Sequence, residues 1–387
     1  MSCAPGTAGA VTLLAGLLAA AGCYGSRQAG NPLDGLTKAE RDRFDKGRIV
    51  FNREFIPRTG LGPLFNGTGC ASCHNEPVPG GNGSFTQLNA SVLRPNGFCD
   101  PLVERGGPVF QLSVTPALAA ALGIDAEPIP AEAARGRRTT PDIFGFGLFD
   151  AVPESTILAL ADPEDANGDG ISGRVNRFFD GRVGRFGRKA LTPTLAEFAE
   201  GAFHFEQGVT VPNFLSEGTV GGKAIPPGVD PLPEPEVSEE MVAHTDAYVR
   251  TLAPAAPKSL DGTAKRGQQR FSSIGCARCH VPSLRTGDHP IAVLANREFA
   301  AYTDLLLHDM GSELADICQG LVATPAEFRT EPLVALRLAR RYLHDGRASS
   351  IEQAVRLHGG EATKSRNAFA ALSESDRKAL LTFLASL

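Results

Sequence analysis

The chain has 387 residues, long enough for two or three domains that each bury a core, and carries a formal net charge of −5 with a pI near 6.0. That balance lacks the basic footprint of a nucleic-acid-binding protein, so no nucleic-acid partner is expected. Its 43 glycines, 28 prolines and absence of tryptophan point to a loop-rich chain wrapped around something other than a large side-chain core.

Residues 11–22 form an apolar run too short to span a bilayer as a helix, and they read as the core of a signal peptide covering 1–23. Cys23 follows Ala-Ala-Gly as in a lipoprotein cleavage site; cleavage after Ala21 is the competing reading. Export is expected on either reading, to the periplasm or to a lipid anchor at the outer membrane.

The next segment predicts a helix: Thr37 to Glu40 has the form of a capping box, and Gly47 stands four residues before Phe51. It leads to Cys70-Ala-Ser-Cys73-His74. The same sequence recurs further along: Gly267 stands four residues before Phe271, and then comes Cys276-Ala-Arg-Cys279-His280. Two thiols at this spacing can add across the vinyl groups of one haem while the adjacent histidine ligates its iron, so two covalently bound c-type haems are expected, with His74 and His280 as proximal ligands. A redox-active Cys-x-x-Cys pair or half of a zinc site is the competing reading. A helix that carries a glycine and an aromatic residue on one face is how the first helix of a cytochrome c crosses its last. The repeat therefore predicts two cytochrome c-like haem domains, at 31–149 and 237–387. Arg138 and Arg329, each opening an Arg-Thr-x-Pro, are candidates for pairing with haem propionates or for facing solvent.

Between them, residues 150–236 match neither copy. They contain a calcium-type loop in which Asp165, Asn167, Asp169, the Ile171 carbonyl and Asn176 are the candidate oxygen ligands of Ca2+. A metal-free Asx turn is the competing reading. The stretch from Phe203 to Thr210 offers His204 and Glu206 as acid/base candidates, and 226–236 is a proline-rich linker. Past the second haem motif, His308 is a candidate acid/base group or iron ligand, and Met310 a candidate ligand or core residue. Ser350 to Gln353 predicts a capping box and a short helix that brings His358 to its last turn, as an axial ligand or a buried core histidine. A final helix from Ser373 should pack across the one ending near Phe271. Cys99 and Cys318 remain, either as a disulfide suited to an oxidising compartment or as two separate thiols.

The two haem motifs, residues 143–154, the Asn167–Asn176 loop, residues 303–311 and residues 342–362, taken in order, resemble the di-haem oxidoreductase family, whose members are described as peroxidases or thiol oxidoreductases. That family is similar to the bacterial di-haem cytochrome c peroxidases and to the di-haem enzyme that matures methylamine dehydrogenase. The resemblance implies a mainly α, loop-rich fold and places His358 at the distal position of the second haem. Members tend to carry methionine where this chain has Gln207, and the relatives' inter-haem tryptophan is missing. The function expected is a periplasmic, peroxidase-like enzyme with one haem relaying electrons and the other meeting the oxidant. The first haem, with no evident distal partner, is expected to be the reactive one. Its expected partners are peroxide or another small oxidant and an electron-donor protein such as a small cytochrome or a cupredoxin. An electron-transfer cytochrome without substrate chemistry, or oxidative maturation of a partner protein, are the alternatives.

Overall fold

The computed structural model describes residues 29–320 and 322–387, so the leader with Cys3 and Cys23 lies outside the described residues. The architecture is more mixed than the mainly α expectation, with about 33% helix and 15% strand. Most strands are two or three residues long, and the longest, Thr86–Leu93, anchors the one sheet of more than two strands among the described residues.

Two helix crossings organise the chain. Thr37 and Glu40 close the expected capping box on the Lys38–Phe51 helix. This helix crosses Glu239–Thr251 so closely that a Cβ on Gly47 would overlap the His244 carbonyl oxygen. Asp261 caps the Gly262–Ser273 helix, which crosses Glu374–Leu384 with Gly267 against the Ala379 carbonyl. In both pairs the aromatic four residues on completes the contact: Phe51 lies 4.9 Å from the Tyr248 ring and Phe271 5.5 Å from Phe383. Burying each of these rings contributes roughly 1.5–3 kcal/mol, provided the backbones approach this closely.

The partner of the first helix comes from beyond the proline-rich stretch, in the region that the sequence assigns to the second domain. The largest core cluster likewise draws Phe51 and Phe144, Phe186 and Leu195, and Tyr248, Leu294 and Phe299 into one body. The expected boundaries at 149 and 236 therefore do not separate independent cores. Helix pairing ignores sequence distance, and a linear reading cannot see it.

The strand Thr86–Leu93 pairs antiparallel with Ala134–Thr139, Val109–Phe110 and Cys99–Asp100. This small sheet is fastened to the second half of the chain at two neighbouring points. Cys99 and Cys318 form a disulfide across 219 residues, which on the chain-entropy account contributes about 5 kcal/mol. Two residues earlier, Asp316 takes the buried Arg138 guanidinium as an ion pair, with the Lys189 ammonium 3.6 Å from its other oxygen and His344 Nε2 3.3 Å away. Burial opposes the Asp316 charge, but His344, Arg138 and Lys189 hold its carboxyl well below the usual range.

Gly47→Ala and Gly267→Ala should each lower the free energy of unfolding by about 1–3 kcal/mol by forcing the helices apart. Gly201→Ala, where only ordinary contacts await the methyl, should be neutral or gain up to about 1 kcal/mol; thermal denaturation of the three variants checks the contrast. Asp316→Asn should cost about 3–5 kcal/mol in chemical denaturation, because it strands buried cations.

Candidate functional site

Gly275, at φ 93°, turns the end of the Gly262–Ser273 helix into the short Cys276–Arg278 turn. The second haem motif there opens on an apolar cavity whose wall includes Phe271, Leu333, Val355 and Leu380. His280 lines it and bonds through Nδ1 to the Tyr302 carbonyl oxygen at 2.9 Å. A carbonyl can only accept, so Nδ1 carries the proton and Nε2 keeps its lone pair. Burial, followed by the nearby His358, pushes His280 down to about 4, so the ring stays neutral. His358 caps the C-terminus of Ile351–Leu357, lines the same cavity and holds its Nδ1 2.7 Å from the Ala354 carbonyl oxygen. Burial lowers its pKa too. Two neutral imidazoles with committed Nδ1 and basic Nε2 therefore share one apolar space, as an iron site needs. Met310 and Arg329 also line it. Arg329 is 2.6 Å from Glu331, and its buried Nε has no hydrogen-bond partner, which fits an anionic group arriving in the cavity. Arg138, by contrast, is spent on Asp316.

The first motif repeats this geometry. His74 Nδ1 lies 2.9 Å from the Pro141 carbonyl oxygen and 3.2 Å from that of Gly81, and burial lowers its pKa. The Phe51 ring stands 6.4 Å from His74 at 55°, and Phe271 stands 6.4 Å from His280 at 53°. Burial pushes the Cys70 thiol up to about 11 and the Cys276 thiol up to about 12, and it raises Cys73 as well. A redox-active pair is favoured by the opposite shift, so these directions speak against that competing reading.

The last turn of the Leu195–Gln207 helix meets the first pair of thiols. Gln207 Nε2 is 3.5 Å from Cys70 Sγ, and its Oε1 is buried without a partner. Glu206 accepts from Asn66 at 2.9 Å and from Gln87, acts electrostatically on Cys73, and is pushed up to about 7 by burial. His204, on the same helix, stacks on Phe214 at 4.9 Å instead, and no contact ties it to either motif among the described residues.

His308 lines the same cavity as His280 and His358 but cannot ligate iron as it stands. Its Nε2 is 2.8 Å from Asp304 and its Nδ1 2.8 Å from Glu361. Burial opposes its charge, yet Asp304, Cys279 and Glu361 together push it up to about 12, making it a fixed imidazolium. Asp304 is only four residues away, whereas Glu361, 53 residues away, could not be seen from the sequence.

The calcium-type loop is folded as an Asx-built turn, and one of its expected ligands, Asn176, lies elsewhere. Asp165 accepts from Gly170 N, Asn167 from Asp169 N and Asp169 from Ile171 N, the bonds of an Asx-built turn. Lys364 donates to the Asp169 carbonyl at 2.7 Å, and Arg278 stands 3.4 Å from its carboxylate. Asn176 is wholly buried and donates to the Lys189 carbonyl, so it does not close the loop, and Ile171 lines the haem-motif cavity. Two cations therefore stand at Asp169, and the twelfth-position candidate Asn176 is not part of the loop's donor set.

The sequence model of the family described as "Di-haem oxidoreductase, putative peroxidase" matches residues 126–387, which include the second haem motif. No curated protein matches the chain. Several solved structures do. One is hydrazine synthase of Kuenenia stuttgartiensis, at 14% identity and TM-score 0.42, covering 98% of this chain and 100% of that one. Another is a MauG-like protein associated with microbial copper homeostasis, at 17% and 0.41, covering 93% and 91%. A third is a variant of the diheme peroxidase BthA from Burkholderia thailandensis, at 16% and 0.42, covering 89% and 85%. With the family match spanning most of its length, the chain belongs to the di-haem oxidoreductase family and is an oxidoreductase.

Proposed function

We propose that the chain is an exported peroxidase that attaches one haem through Cys70 and Cys73 and a second through Cys276 and Cys279. His74 and His280 are the proximal ligands, and His358 is the distal ligand of the second haem, with Met310 the reserve on the same wall. The observation that carries this reading is the inequality of the two sites. A basic, neutral imidazole faces the cavity of the second, whereas the side chains against the thiols of the first are a carboxyl and an amide. The second haem then relays electrons from a donor protein such as a small cytochrome or a cupredoxin, and the first meets the oxidant. The Cys99–Cys318 disulfide supports an oxidising compartment, the periplasm or the outer membrane surface.

The haems, when bound, supply the two electrons and the Lewis-acidic centres with which hydrogen peroxide and two protons become two waters. The chain supplies the proton traffic. Glu206 is oriented by Asn66 and Gln87, and a carboxyl near 7 can take a proton from one peroxide oxygen and return it to the leaving oxygen. Only its ionised form can begin that exchange.

Peroxide reduction should therefore rise with pH through about 7. Glu206→Gln should lower kcat/KM for hydrogen peroxide by about 10²–10⁴-fold and remove the rising limb, with haem content unchanged. Steady-state assays across pH with a reduced artificial donor check this; an unaltered profile in the variant would remove Glu206 from the mechanism.

A further inference from the structure

We infer that Gln207 is the distal residue of the first haem, the counterpart of His358, and that its carboxamide keeps that site open and binds the oxidant by hydrogen bonds. The inference rests on the two-haem reading above and adds a residue to it.

The argument comes from the internal repeat. Both copies contain, in this order and with other elements between them, a capped helix with glycine and phenylalanine four apart, a haem motif, a helix whose end meets that motif's site, and a closing helix crossed at the glycine. In the second copy the Ile351–Leu357 helix ends on His358 and then Gly359, with the Thr363–Ala370 helix between it and the closing Glu374–Leu384 helix. In the first copy the helix before the closing one, Leu195–Gln207, ends on Gln207 and then Gly208, whose φ of 65° stops it. The matching Phe51–His74 and Phe271–His280 geometries show that the copies share their layout around the proximal histidine.

The environment of Gln207 points the same way independently. The residue is 2% exposed, one amide atom lies 3.5 Å from Cys70 Sγ, and the other is sealed from solvent with no partner. This holds whichever way the amide is turned, because one end meets the thiol and the other meets nothing. A buried amide oxygen left unpaired is costly, and a glutamine that served packing alone would be replaced without loss by leucine. An O–H group arriving at the first site would satisfy it. Where His358 offers a nitrogen lone pair that holds iron firmly, a carboxamide is a weak ligand but offers both a donor and an acceptor. Gln207 would thus position the oxidant, and the neighbouring Glu206 would move its proton.

The test uses the ferric, haem-loaded full chain with fluoride as the probe, read by magnetic circular dichroism. Wild type should show one high-spin haem that binds fluoride and one low-spin haem that does not. Gln207→His should convert the high-spin haem to low spin and abolish fluoride binding, leaving the other haem as it was. Gln207→Leu should keep the high-spin haem and weaken fluoride by about tenfold, the effect of one hydrogen bond to an anion. If histidine disturbs haem loading, the leucine variant decides alone. A wild type with two low-spin haems would refute the open first site and this assignment with it. A high-spin wild type whose fluoride affinity and spin state neither variant alters would refute Gln207 while leaving the open site standing.

Discussion

One constraint recurs at each histidine assigned to iron. The Nδ1 proton of His74 goes to the carbonyl of Pro141, that of His280 to Tyr302 and that of His358 to Ala354, so each ring is fixed in orientation and tautomer with Nε2 left basic. For the two proximal rings the carbonyl comes from a loop far from the haem motif, and that loop must be held in place. The close helix crossings at Gly47 and Gly267 set where each motif begins, and the loops are then pinned against them. His308, whose nitrogens both meet carboxylates, shows what a histidine in the same cavity looks like when it is held as a cation instead.

The two sites also share material. Pro141, whose carbonyl orients His74, lines the cavity of the second motif, and the Thr139 amide next to it bonds the His344 carbonyl of the second half. The sheet that carries this segment is locked to the second half by the Cys99–Cys318 disulfide and the Arg138–Asp316 pair. A rigid, short connection of this kind suits electron exchange between haems in a chain without tryptophan, because it fixes their separation through covalent and hydrogen-bonded atoms.

Much of this was legible in the sequence where the signal is local and has a mechanism. The haem pentapeptides, the Thr37 cap, the glycine and phenylalanine four apart, and the final helix over Phe271 all rest on contacts within a few residues or on an internal copy. The capping box at Ser350 formed only in part: Ser350 accepts from Gln353 N, but the Gln353 side chain turns to Ser349 instead. What the sequence hid depends on distant segments meeting. The first helix takes its partner from 239–251, Asp316 gathers Arg138, Lys189 and His344, and Glu361 comes from 53 residues on to join the local Asp304 at His308. The placement of Lys364 and Arg278 beside Asp169, and of Asn176 away from the loop, was hidden for the same reason, since these are tertiary facts. The strand Ala134–Thr139 went unseen because its charged run shows no apolar alternation.

The central claim is that the two haem sites are unequal, one closed by His358 and one open. Low-temperature electron paramagnetic resonance of the ferric, haem-loaded protein, with and without peroxide and alongside His358→Ala, tests it most directly. The account expects one low-spin signal that the substitution removes and one high-spin signal that peroxide consumes. Two low-spin signals indifferent to peroxide, in both the fully ferric and the half-reduced protein, would contradict it and make the chain an electron carrier.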